Sequence, residues 1–272
     1  MKSLMLILLF LTIKGFSQDG EYLQADTVYK MNGVKTCTVR FYGQQGSRIV
    51  FNFDITGRLI DRIQFNPRGK KFYNRHQYHY NDKGQLTLVS YFTYWHLEKD
   101  RIVEDSLTHP SSDWTTCMLN YDSGDRLVRT LFTNAAERVF SENTYTYNPL
   151  TLHSEMYSAI DSTIVTATIL YDASGVVKRY NSYREKAGKV ISKWEEVFEN
   201  SFDKKGRILK RRKTIPSDPS WAMEYVYEYD NKGLLMVLNS RRLDCTEDCR
   251  HRELLYEYSY WEENCVQSTV KR

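Results

Sequence analysis

Proline is scarce in this 272-residue sequence, with 5 in all, and so is any convincing helical pattern. Leu97 to Leu107 has some helical spacing, but it is short and poorly capped. Beyond residue 17 no run is apolar and long enough to cross a bilayer as a helix. Charge of one sign is also missing. The net charge is +4, and Lys2 and Lys14 lie in the N-terminal leader, so the remainder carries +4 − 2 = +2. That is too little to argue for nucleic acid or an anionic membrane as a partner. No nucleophile elbow, phosphate loop or zinc-protease motif is present. Cysteine is sparse at five, and no second Cys or His pair stands at zinc spacing. What is abundant is aromatic: 21 Tyr, 12 Phe and 5 Trp, residues that favour half-buried pleated surfaces.

The first residues, MKSLMLILLFLTIKGFSQ, read as a secretory signal peptide over 1–17. Lys2 supplies the basic start and Leu4 to Ile13 the apolar run. Gly15 and Ser17 stand at −3 and −1 of a cut before Gln18. The alternative is an uncleaved anchor, against which the ten-residue run and Lys14 argue. No Cys follows the run closely, which disfavours a lipid-modified N-terminus. The sequence thus predicts an exported protein of the periplasm, cell surface or extracellular space, with no membrane span after cleavage.

One phrase recurs along the rest. Aligned on its aromatic residue, it stands at Phe53, Tyr80, Tyr121, Tyr147, Tyr171, Phe202 and Tyr229, at intervals of 27, 41, 26, 24, 31 and 27. Asp or Asn follows each aromatic, as in Asp54, Asn81, Asp172, Asp203 and Asp230. Glycine comes four after it at Gly57, Gly84, Gly175, Gly206 and Gly233, and an aliphatic residue six after it in six copies. The copy at 121 has its glycine one place early, and the copy at 147 has lost both glycine and aliphatic. An Asx residue at the first turn position, two permissive residues and a left-handed glycine make a hairpin connection with a bulge. The flanking segments alternate with period two, as in MEYVYEY at 223–229. A second class of turn falls between the phrases, at 66–69, 133–137, 185–189, 216–220 and 244–249.

The phrase resembles the YD repeat of Rhs and teneurin-type proteins. The matches are Tyr229-Asp230…Gly233…Leu235, Tyr171-Asp172…Gly175…Val177, Phe202-Asp203…Gly206…Ile208, Phe53-Asp54…Gly57…Leu59 and Tyr80-Asn81…Gly84…Leu86. The similarity covers about 45–265, with longer units than the family's and no core-ending motif or toxin domain. It implies long antiparallel sheets that curl. The expected fold is all-β: a repetitive antiparallel meander of consecutive hairpins, about seven units in one domain over 18–272, coiled or partly closed. Within it, 97–113 reads as one long loop and 250–272 as a terminal cap.

Candidate chemistry is thin. Cys245 and Cys249 flank a three-residue turn and are a disulfide candidate for an oxidising compartment. His76 and His79, three apart, point to opposite faces of a strand and read as surface histidines rather than a metal pair. The repeated Asp residues have a sufficient role in their turns. Trp95, Trp114, Trp194, Trp221 and Trp261 are candidates for a platform that takes a protein or glycan, with packing as the plainer role. The expected function is a non-catalytic binding or structural module of a bacterial envelope, with no cofactor or metal. The alternatives are a secreted hydrolase with a site assembled from distant residues, an accessory or immunity-like factor of a polymorphic toxin system, and an outer-membrane barrel. Charge inside ILKRRKT and WEEVFEN, and the absence of a terminal aromatic, speak against the barrel.

Overall fold

The computed structural model describes residues 26–41, 47–65, 72–93, 97–98, 101–102, 115–134, 136–243 and 252–261. A six-residue helix, α1 (Asp26–Met31), precedes the strands. The first seven strands are β1 (Val34–Phe41), β2 (Arg48–Phe53), β3 (Leu59–Phe65), β4 (Phe72–Tyr80), β5 (Leu86–Thr93), β6 (Leu97–Glu98) and β7 (Arg101–Ile102). Then follow β8 (Thr115–Tyr121), β9 (Leu127–Asn134), β10 (Val139–Asn148), β11 (Thr151–Ser158), β12 (Thr163–Tyr171) and β13 (Val177–Lys186). The last are β14 (Lys189–Phe202), β15 (Ile208–Ile215), β16 (Asp218–Tyr229), β17 (Leu235–Arg242) and β18 (Arg252–Tyr260).

Sixteen of these strands form an all-β antiparallel meander whose order closes into a barrel. The expectation of a coiled or partly closed sheet is therefore corrected. Closure comes from β1, which pairs with β2 on one side and with β18 on the other, from Val34↔Tyr260 to Phe41↔Leu254. Pairing first strand with last satisfies two rows of backbone groups that an open meander leaves exposed. The segment read as a terminal cap carries β18. Within the span read as one loop, β6 and β7 pair as a two-stranded ribbon separate from the main sheet. Helix α1 was not anticipated, because six residues are too few for a helical period to show.

Six of the seven copies of the turn phrase share one geometry, and the copy at 147 instead closes as a two-residue turn with Asn148 opposite Thr151. In the first copy the Asp54 N–H donates to the Arg58 carbonyl and the Gly57 N–H to the Asp54 carbonyl, each at 2.9 Å. Asp54 Oδ1 accepts from the Thr56 and Arg58 N–H groups, both at 2.9 Å. Gly57 has φ +80, and a Cβ there would lie 2.6 Å from the Lys30 backbone, so α1 rests directly on this turn. In five of the copies the register shifts by one just before the turn, which sets the aromatic opposite the aliphatic six residues on: Phe53↔Leu59, Tyr80↔Leu86, Tyr121↔Leu127, Tyr171↔Val177 and Phe202↔Ile208. In the copy at 121 it is Asp125, not Gly124, that takes the left-handed position, at φ 62. The turn at 133–137, assigned to the second class from sequence, repeats the phrase geometry. Asn134 Oδ1 accepts from Ala136 and Arg138, and Glu137 has φ 58.

The described residues fall into two compact units: those up to 102 with 228–238 and 253–261, and those of 115–227 with 239–243 and 252. Hairpin arrays contact mainly their neighbours along the sheet, so such a division is natural to them. The first unit packs Cys37, Val39, Ile49, Phe51, Phe53 and Tyr256 in a buried layer. Tyr29 of α1 lies over it, its ring centroid 4.4 Å from that of Phe53 and 6.5 Å from that of Tyr258. The second unit buries Cys117, Leu119, Phe132, Tyr145, Leu152 and Ile169.

Candidate binding face

The two units differ in the chemistry of their sheet faces. In the first, Arg62 and His76 sit opposite one another on the face that also carries Phe51. His76 is buried, which corrects its reading as a surface residue. Its ring meets Tyr91 edge-on at 4.6 Å between centroids. Burial, with the charge of Arg62 adding to it, pushes the His76 imidazole down to about 3, so it is neutral at physiological pH. His79 is exposed. Arg62 Nη2 donates to Gln64 at 3.0 Å. This is a core pair rather than a site.

The second unit has a face on β14–β16 where aromatic and charged side chains alternate. The register sets Phe198 opposite Lys213, Asn200 opposite Arg211, Lys213 opposite Met223 and Arg211 opposite Tyr225. Lys213 Nζ donates to Glu196 Oε1 at 3.1 Å and lies 5.3 Å from the Trp221 ring centroid. The Arg211 guanidinium lies 5.6 Å from the Phe198 ring and donates to Asn200 Oδ1 at 2.9 Å. Trp194 is two residues before Glu196 on β14, so it shares this face, and it is 47% exposed. Each cation is thus held by an anion or amide on one side and a ring on the other. Such contacts contribute about 0.5–1 kcal/mol at exposed sites and fix the orientation of both groups.

The reverse face of the same strands is ionic. Buried Glu224 accepts from Arg241 at 2.7 Å and also pairs with Lys210. The Lys210 hydrogen bond, with that of Arg241, outweighs burial and holds the Glu224 carboxyl below its ordinary range. Lys193, Glu195, Glu199 and Arg212 lie in register with this row. Both faces of β14–β15 are therefore charged.

No family model matches the chain, and no curated protein matches it. It is similar to a porin-like protein from Bacteroides vulgatus at 11% identity and a TM-score of 0.41, covering 85% of this chain and 99% of that one. It is similar to a porin-like protein from Bacteroides uniformis at 10% identity and a TM-score of 0.38, covering 83% and 98%. A Photorhabdus luminescens Tc holotoxin pore aligns over 73% of this chain and 15% of its own, at 12% identity and a TM-score of 0.17. Likenesses this distant carry no functional argument.

Of the sequence candidates, Trp194 and Trp221 lie on the same face of β14–β16, where Lys213 stands beside Trp221 and bonds Glu196, two residues along β14 from Trp194. Trp261 belongs to the first unit, where Lys35 Nζ stands 5.1 Å from its ring. Trp95, Trp114, Cys245 and Cys249 lie outside the described residues. The glycines and Asx residues of the phrase stand in the turns described above. Sequence reading missed Glu196, Phe198, Arg211 and Lys213. Their signal was the interval of two shared by Trp194, Glu196 and Phe198, and by Arg211 and Lys213. Among the described residues no group of three or more His, Cys, Asp and Glu side chains is close enough to hold a metal.

Proposed function

We propose that this chain is an exported, non-catalytic β-barrel of the YD-repeat type that works in an aqueous compartment of a bacterial envelope. Its β14–β16 face recognises a glycan or protein there. The observation that carries the reading is the row of aromatic rings and paired cations on that face, held on a ladder rather than on loops. Rings at fixed positions give a stacking surface for sugar or side-chain planes, and the cations beside them supply oriented donors.

The aqueous part of the reading rests on the charges of β14–β15. Whichever face met lipid would bring Arg or Lys into it, at about 2–4 kcal/mol each near the midplane. One face carries Arg211 and Lys213, the other Lys193, Lys210 and Arg212.

Two measurements test the proposal on the mature chain, residues 18–272. Fractionation of the native host should recover it without detergent, and recovery only from detergent-extracted outer membrane sinks the aqueous reading. Binding to an envelope glycan array and to envelope proteins should give a saturable partner. That binding should be lost in Trp221→Ala and weakened in Arg211→Ala, with the circular dichroism of both unchanged. Absence of any partner in both screens sinks the recognition role.

A further inference from the structure

Strand β14 is longer than its neighbour. Residues Lys189 to Val197 pair with β13, but β15 pairs only with Val197 to Phe202. β15 ends at Ile215 because Pro216, which has no N–H, opens the turn into β16. Among the described residues, the segment Lys189–Glu196 therefore has a ladder partner on one edge only. At about 3.3 Å per residue its free edge runs for roughly 26 Å. Lys189 to Trp194 are exposed on both faces, with Val190 at 46%, Ile191 at 55% and Trp194 at 47%.

A free edge with exposed apolar side chains is a template for strand addition. Guarded edges usually carry Lys, Pro or inward-pointing charge. This one carries Lys189 at its start and Glu195 and Glu196 at its end, so it complements itself when reversed. We propose that the free edge of β14 pairs antiparallel with the same edge of a second copy of this chain, giving a two-fold dimer through a continuous sheet.

The register with β13 makes the pairing specific. Lys189 lies opposite Lys186 and Glu196 opposite Tyr180, an even spacing on β13, so both side chains project from one face. A bulge sets Ile191 and Ser192 together as one step of the ladder. An antiparallel copy centred on Lys193 then sets Lys189 against the partner's Glu196 twice, and Ile191 against the partner's Trp194 twice. Glu196 keeps its bond to Lys213 and accepts a second cation, as Glu224 does from Lys210 and Arg241. The two Lys193 side chains meet at the axis on the other face and are the one like-charged pair. The dimer takes Trp194 and Glu196 from the edge of the β14–β16 face, leaves Arg211, Lys213 and Trp221 to it, and needs no ligand bound there.

Sedimentation of the mature chain, 18–272, tests it. The wild type should sediment as a dimer. Lys189→Glu and Ile191→Asp should each raise the dissociation constant roughly tenfold or more, by opposing like charges or burying an unpaired one. The substituted side chains are exposed, so the melting temperature of each variant at monomer concentrations should match the wild type. Lys193→Cys should form an interchain disulfide on mild oxidation, with residue 193 linked to residue 193 in the peptide map. A monomeric wild type, a dimer unaffected by both edge variants, or a Lys193→Cys dimer linked elsewhere each overturns the proposal.

Discussion

Individual tyrosines tie one hairpin to the next. The Tyr80 hydroxyl donates to the Leu59 carbonyl at 2.8 Å, Tyr147 to Leu127 at 2.7 Å and Tyr258 to Leu235 at 2.6 Å. In each case the acceptor is the aliphatic residue six places into the preceding phrase. Where Phe202 replaces the tyrosine, Asn200 supplies the donor to Val177, at 3.3 Å. Tyr171 follows the copy that has lost its aliphatic residue, and its buried hydroxyl has no hydrogen-bond partner among the described residues. A contrast follows. Tyr147→Phe should cost about 1 kcal/mol and leave a carbonyl unpaired, whereas Tyr171→Phe should be neutral or slightly stabilising. Urea denaturation of the two variants against wild type decides it, and equal losses would remove the inter-hairpin tie as an explanation.

The carboxylates of the same phrase make the fold acid-sensitive. In Asp54, burial alone would raise the carboxyl, but the Thr56 hydroxyl and the Arg58 N–H and guanidinium outweigh it. Asp122 and Asp203 are held low first by the N–H of the arginine four residues on, and Asp172 first by the Ser174 hydroxyl. All four lie below their unfolded value of about 3.9 in the folded state. Their stabilisation is therefore complete above that value and is lost as pH falls through the lower folded values. Melting temperature should be flat from neutral pH down to about 5 and fall steeply below about 4. Asn at all four positions should flatten that acid limb. A limb unchanged in the quadruple variant would assign the sensitivity to other groups.

Much of this was legible in the sequence, because a turn is a local object. Asx residue, glycine and aliphatic all act within seven residues, so their spacing survives translation into structure. A further local signal went unread. In four copies the residue four after the Asx residue matches it in kind: Asp54 with Arg58, Asp122 with Arg126, Asp203 with Arg207, and Asn81 with Gln85, whereas Asp172 and Asp230 have Val176 and Leu234 there. The β14–β16 face was only half legible. Trp194 and Trp221 were picked out by type, but that they share a face depends on the β14–β15 and β15–β16 registers. The free edge of β14 was not legible, since it arises from unequal strand lengths rather than from a residue pattern.

Strand-level geometry also explains the hairpin that carries this edge. β13 and β14 join through Ala187 and Gly188, with φ of 49 and 75, and Lys186 pairs directly with Lys189. Two consecutive left-handed residues define a type I′ turn, which matches the twist of its strands. Alanine is poorly suited to the first position, where its Cβ crowds the following carbonyl at about 1–2 kcal/mol. Asparagine tolerates it. Ala187→Asn should therefore stabilise the protein by about 0.5–1 kcal/mol. The amides of β13 and the first half of β14 should exchange more slowly with solvent. Faster exchange, or a lower melting temperature, would contradict the turn assignment.

At the scale of the whole molecule, closure depends on one seam that no repeat signals. β18 lacks the turn phrase, yet it bonds β1 along its length, with Arg40 to Glu257 at 2.7 Å and Thr36 to Ser259 at 2.7 Å on the exposed side. On the inner side Tyr258 lies opposite Cys37 and buried Tyr256 opposite Val39. Burial pushes the Cys37 thiol up to about 12, against a smaller opposite effect of its hydrogen bond with Tyr258. A thiol so placed is protonated and shielded, hence inert to alkylation in the folded barrel. Cys37 is thus a reporter of closure. Ending the chain after Leu243 should expose both β1 and β17 as edges, make the protein aggregate, and open Cys37 to iodoacetamide at pH 8 without denaturant. In that truncated chain Cys117, also buried and pushed to about 12, should stay shielded if the second unit keeps its own core. Mass spectrometry of the alkylated peptides separates the cases. Labelling of Cys37 alone makes the seam a local lock on the first unit. Labelling of both thiols makes closure a condition for the whole fold, and labelling of neither shows that β1 holds without β18.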